Sequence, residues 1–141
     1  MGALLTVFAM WWIYFAKPAA DRLVSNRVAY PWGYGHYVVF ASAAAVGAGV
    51  AVFVDHVTGA THITAAAAAA AFTVPVILYL LAVTFIHTLL YGVHRDHLLA
   101  MLAGIVLVGL ATFTGQPVLL TGLVLAVLVG VLLALHERAS H

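Results

Sequence analysis

Apolar residues fill five stretches of the chain, 2–16, 36–54, 64–91, 98–113 and 118–135, and polar residues gather in the short breaks between them. The stretches are apolar all round, with no polar stripe of helical period and no strict alternation. That is the pattern of helices enclosed by lipid or by other helices. The first stretch is short: at 1.5 Å per residue its fifteen residues reach only about 23 Å, against a hydrocarbon core of about 30 Å. This predicts that the natural beginning of the protein lies upstream. The third stretch, 64–91, exceeds one perpendicular crossing, so it is expected to tilt or project beyond the bilayer. It opens with Ala65 to Ala71 and contains Pro75, whose missing N–H and ring predict a kink near Ala71.

The breaks carry the orientation. Residues 17–37 hold Lys17, Pro18, Asp21, Arg22 and Arg27, then Pro31, Gly33 and Gly35 among Tyr30, Trp32, Tyr34 and Tyr37. A short surface helix is expected around Asp21 and Arg22, with turns forced by the prolines and glycines before the second span. Trp11, Trp12, Tyr14 and Phe15 are rings suited to the headgroup level. Two small-residue series at four-residue spacing, Ala43, Gly47 and Ala51 in the second span and Gly122, Ala126 and Gly130 in the fifth, predict faces that neighbouring helices approach closely.

Composition settles the class. With 66% apolar and 6% charged residues and a mean hydropathy of +1.17, the chain lies far from soluble proteins, where about a quarter of residues are charged. We expect an all-α, polytopic integral membrane helix bundle of five transmembrane helices, forming one transmembrane domain over 1–141 and contacting the lipid bilayer. A cleaved signal peptide is not expected, because no basic residue precedes the first apolar run and its rings suit an h-region poorly. Net charge is +1 and the basic residues are scattered, which excludes a nucleic-acid footprint. The absence of cysteine excludes disulfides and thiolate ligation. Five spans put Lys17, Arg22, Arg27, Arg95 and Arg138 all on one side, so the positive-inside rule predicts an external N-terminus and a cytoplasmic C-terminus.

Eight histidines are the candidate chemistry. In this topology His36 and His87 fall at comparable depth near the cytoplasmic face. They could line the path of a half-transporter or channel, or ligate haem iron or another metal from two sides. Set against this, His36 belongs to an aromatic interfacial cluster, and His87 can bond a neighbouring hydroxyl or carbonyl. No metal site or cofactor is otherwise indicated: His94, Asp96 and His97, and Asp55 with His56 and His62, read as solvated loop groups. No nucleophile constellation or phosphate loop occurs, so the chain is not expected to be an enzyme. A non-catalytic module that packs as a homo-oligomer or against other membrane helices is the leading expectation, with any small-molecule ligand open.

From Trp11-Trp12, Tyr14 and Phe15, through Tyr34-Gly35-His36-Tyr37, to the run from Ala43 to Gly49 and Asp55-His56, the chain resembles the C-terminal portion of the bacterial low temperature requirement A family. That resemblance implies a polytopic bacterial inner-membrane protein linked to growth in the cold, with no established molecular activity. Its members look like longer proteins with an upstream acidic and aromatic signature and more spans. It supplies no catalytic residue; Trp11, Trp12, Tyr34, Gly35 and His36 are the family positions to follow.

Overall fold

The computed structural model describes residues 1–17, 23 and 25–139 and is all-helical. The surface helix expected around Asp21 and Arg22, and the terminal His141, lie outside the described residues. Five helices follow in order: α1 (Gly2–Phe15), α2 (Asn26–Val57), α3 (Ala65–Tyr91), α4 (Arg95–Ala111) and α5 (Pro117–Ala139). Three of them, α2, α3 and α5, are long and apolar enough to cross a membrane, and α1 is a shorter apolar helix. Leu4, Phe8, Phe40, Phe85, Leu99, Val106, Leu110 and Val127 point outward, an apolar exterior that suits lipid as solvent.

Local chemistry sets the helix ends. Thr64 caps α3 by accepting from the Ala67 N–H at 3.2 Å, and α3 stops at Gly92, where φ is +77°, a left-handed conformation that favours glycine. α5 starts on Pro117, a position where the missing N–H costs nothing. The start of α2 corrects the sequence reading. Helix begins at Asn26 and runs through Pro31, Gly33 and Gly35, where turns were expected. Pro31 stands near the N-terminal end, its fixed φ suits a helix, and it removes only the bond to the Arg27 carbonyl.

α3 is the centre of the bundle, with Phe72, Val76, Leu80 and Val83 almost wholly enclosed. α2 runs antiparallel to it: Gly49 of α2 sits against Ala71 and Phe72, and Gly35 against Ile86. Ala71 holds the carbonyl that Pro75 leaves without its helical donor, and only a residue lacking Cβ fits beside it. α4 returns along α3, joined by a Thr73–Thr112 hydroxyl bond of 2.7 Å. α1 and α5 are parallel, with Gly122 packed on the Gly2 backbone. Tyr79 of α3 donates to the Met10 carbonyl of α1 at 2.7 Å. The interior hydroxyls of Thr6, Ser42 and Thr84 turn back on their own helices, to the Gly2, Val38 and Leu80 carbonyls, which satisfies them, whereas the enclosed Thr121 hydroxyl has no partner.

This arrangement gathers the C-terminal ends of α1, α3 and α5 with the N-terminal ends of α2 and α4. The described cations Lys17, Arg27, Arg95 and Arg138 therefore all lie at that one end.

Candidate functional site

At the basic end, α1, α2 and α3 enclose a cavity of about 320 Å³ whose lining includes Tyr14, Lys17, Trp32, His36, Ile86 and His87. The structure thus brings His36 and His87 to one cavity, and both are nearly enclosed, at 9% and 5% exposure. His36 is held on both sides: Nδ1 lies 2.7 Å from the Trp32 carbonyl and Nε2 lies 2.7 Å from the Tyr14 hydroxyl. A carbonyl only accepts, so the Nδ1–H donates to it; the neutral ring then accepts the Tyr14 O–H at Nε2. The Trp32 ring also lies against it, tilted by 48° with 4.0 Å between centroids. With both nitrogens engaged, His36 presents no free lone pair to a metal.

His87 differs. Its Nδ1 is buried without a partner, and its ring lies 5.8 Å from that of His97, between centroids. His97, in the first turn of α4 before the span that begins at Leu98, also has a buried nitrogen, Nε2, without a partner. Burial, then the charge of Lys17 and then His94, pushes the His97 imidazole down to about 4. Lys17 lines the cavity with His87 and lies over the Tyr91 ring, its Nζ 5.1 Å from the centroid, and burial lowers its pKa from the usual range. Among the described residues no group of three or more histidine and acidic side chains gathers as a metal would need. Asp55, His62, His94 and Asp96 are exposed.

The other family positions separate. Trp11, Trp12 and Tyr34 point outward, at 54%, 46% and 77% exposure, as an aromatic rim at the basic end. Gly35 is buried, where a Cβ would meet Ile86 Cγ1 at 3.0 Å, so it sets the α2–α3 spacing beside His36. Of the small-residue series, Ala43 packs against the core, Gly122 is buried and Ala126 half-buried, while Gly47, Ala51 and Gly130 are exposed. The contact face of α2 within the chain is Val39, Ser42, Val46 and Gly49. Sequence reasoning left Tyr14, Lys17, Trp32 and His97 out of the site. Tyr14 is foreshadowed by sitting in the same aromatic run as Trp11 and Trp12. His97 looked like a solvated loop residue and had no such signal.

No curated protein and no solved structure matches this chain. The family model described as bacterial low temperature requirement A protein (LtrA) matches residues 1–135, all of α1 to α4 and most of α5. The chain belongs to the bacterial low temperature requirement A family.

Proposed function

We propose that this membrane protein is a non-catalytic helical module of the bacterial inner membrane, working in association with further membrane helices, and that its basic end faces the cytoplasm. The observation that supports it is the outward surface of α2. Ala44, Gly47, Ala48 and Ala51, at relative positions 0, 3, 4 and 7, are all exposed, and nothing lies within 4 Å of a Cβ placed on Gly47. Such a smooth strip admits another helix backbone closely, which is how membrane helices associate when lipid gives no hydrophobic drive. The clustering of Lys17, Arg27, Arg95 and Arg138 supports the orientation. Because the chain has no cysteine, a Gly47→Cys variant tests the reading in native membranes. Cross-linking at position 47, lost in a Gly47→Cys, Ala51→Leu double variant, is expected. Absence of any adduct, with single-molecule photobleaching showing monomers, would count against it.

A second reading, half of a transporter, is favoured by the cavity shared by His36 and His87. Beyond that cavity the enclosed part of α3 is mainly apolar, Leu80, Val76 and Phe72, and its buried hydroxyls, Thr73, Tyr79 and Thr84, are bonded to protein groups, so the rest of a polar path would have to come from other helices. Solute or proton flux in proteoliposomes above that of empty liposomes, abolished by His87→Gln, is its test.

A further inference from the structure

The cations at the basic end are not equivalent. Arg27, Arg95 and Arg138 are exposed, whereas Lys17 is half-buried. The face of Tyr91 lies near its ammonium, Lys17 lines one cavity with His87 and another with His97, and among the described residues no carboxylate pairs with it. His87 Nδ1 and His97 Nε2 both lack a partner. A half-buried cation without a paired carboxylate is costly unless an anion completes it, and an imidazole N–H beside it donates to the same anion.

Lys17 also closes a second cavity, distinct from the one that holds His36. This groove of about 340 Å³ lies between α1 and α5; its walls include Trp11, Ile13, Val129 and Leu133, and its end is marked by Lys17, His97 and His136. Trp11 and Leu133 are exposed on its flank, so it opens sideways to the bilayer at headgroup depth. The walls suit a hydrocarbon chain and the end suits a phosphate. The volume fits a headgroup phosphate with part of one acyl chain. A free anion would leave the apolar walls unused.

We propose that the α1–α5 groove binds an anionic phospholipid, with Lys17 as the charge partner of its phosphate, His97 and His136 as hydrogen-bonding groups, and an acyl chain laid along Val129, Leu132 and Leu133. Basic pockets between transmembrane helices on the cytoplasmic side recognise anionic headgroups in this way.

Trp11 and Trp12 at the mouth give the readout. The full chain is reconstituted in phosphatidylcholine nanodiscs, and tryptophan quenching is compared for phosphatidylglycerol and phosphatidylcholine brominated on the acyl chains, at equal mole fraction. A preference for the anionic lipid of roughly five-fold is expected, the factor that about 1 kcal/mol per basic residue supplies. It should fall to near one in Lys17→Gln, be retained in Lys17→Arg, and be unchanged in Arg138→Gln, which removes an exposed cation at the same end. Equal quenching by both lipids overturns the proposal, as does a preference that survives Lys17→Gln or is lost equally in Arg138→Gln. Displacement of the brominated anionic lipid by millimolar inorganic phosphate would show that the site takes a free anion, and would overturn it too.

Discussion

Replacing Gly49 by alanine isolates the contact that holds α2 on the central helix. An ideal Cβ at Gly49 lies 2.7 Å from the Ala71 carbonyl carbon and 2.7 Å from Phe72 Cα, where carbon atoms prefer about 3.5–4.0 Å. Both obstacles are backbone, so no rotamer change relieves them and the two helices must part by roughly 1 Å. Val46, Phe72 and Val76 are enclosed along the same seam and would lose contact with the parting. Overpacking of this kind costs about 1–3 kcal/mol. The Ala71 carbonyl, already without a donor from Pro75, loses its close approach by Gly49, a weak contact of about 0.5–1 kcal/mol. Alanine's helix preference returns about 1 kcal/mol, leaving a net loss of about 1–3 kcal/mol. Gly47→Ala is the control two residues away, with nothing within 4 Å; in the monomer it should be neutral or stabilising by up to about 1 kcal/mol. The assay is reversible unfolding in mixed micelles at a dilution where the protein is monomeric. If Gly49→Ala is as stable as Gly47→Ala, the close α2–α3 approach is wrong.

Two further outcomes concern the polar end. Tyr14→Phe removes the hydroxyl that bonds His36 Nε2 at 2.7 Å. A net loss of about 1 kcal/mol is expected, held to that level because the neighbouring cavity has room for a water; ¹⁵N NMR should show Nδ1 still protonated and the Nε2 resonance shifted, whereas an Nε2–H tautomer in the unaltered protein would refute the assignment. His97 should titrate near 4 in neutral detergent, below its ordinary value of about 6.5. The unfolded chain takes that proton first, so the group's contribution to stability is whole above about 6.5 and is lost as pH falls toward its folded value. NMR titration and unfolding at successive pH values check this; a His97 midpoint near 6.5 contradicts the burial argument, and adding anionic lipid should raise the midpoint.

Where the sequence pattern had one reading, the fold followed it. The stretch 64–91 folds as Ala65–Tyr91, and the basic residues that mark one side in the sequence meet at one end of the bundle. The start of α2 was hidden because Pro31, Gly33 and Gly35 signal turns in water, whereas a helix that satisfies its own backbone is favoured at a membrane surface. The packing face of α2 was hidden for a different reason. Small residues from Ala41 to Ala51 occur on every side of that helix, so four-residue spacing alone does not select one. The selection comes from Pro75 on another helix, through Ala71 and Gly49. His36 and His87 could be placed at one depth from span order. Their partners could not, since Tyr14, Lys17 and His97 reach them only through tertiary packing.

In the orientation we propose, the basic end that holds the polar cavities is the cytoplasmic one, and cysteine labelling tests that most directly. Val93, exposed between α3 and α4, marks the basic end, and Gly115, exposed between α4 and α5, marks the other. In the cysteine-free chain, Gly115→Cys should react with a membrane-impermeant maleimide on intact cells, and Val93→Cys only in inverted vesicles. Labelling of Val93→Cys on intact cells, with Gly115→Cys protected, would contradict it.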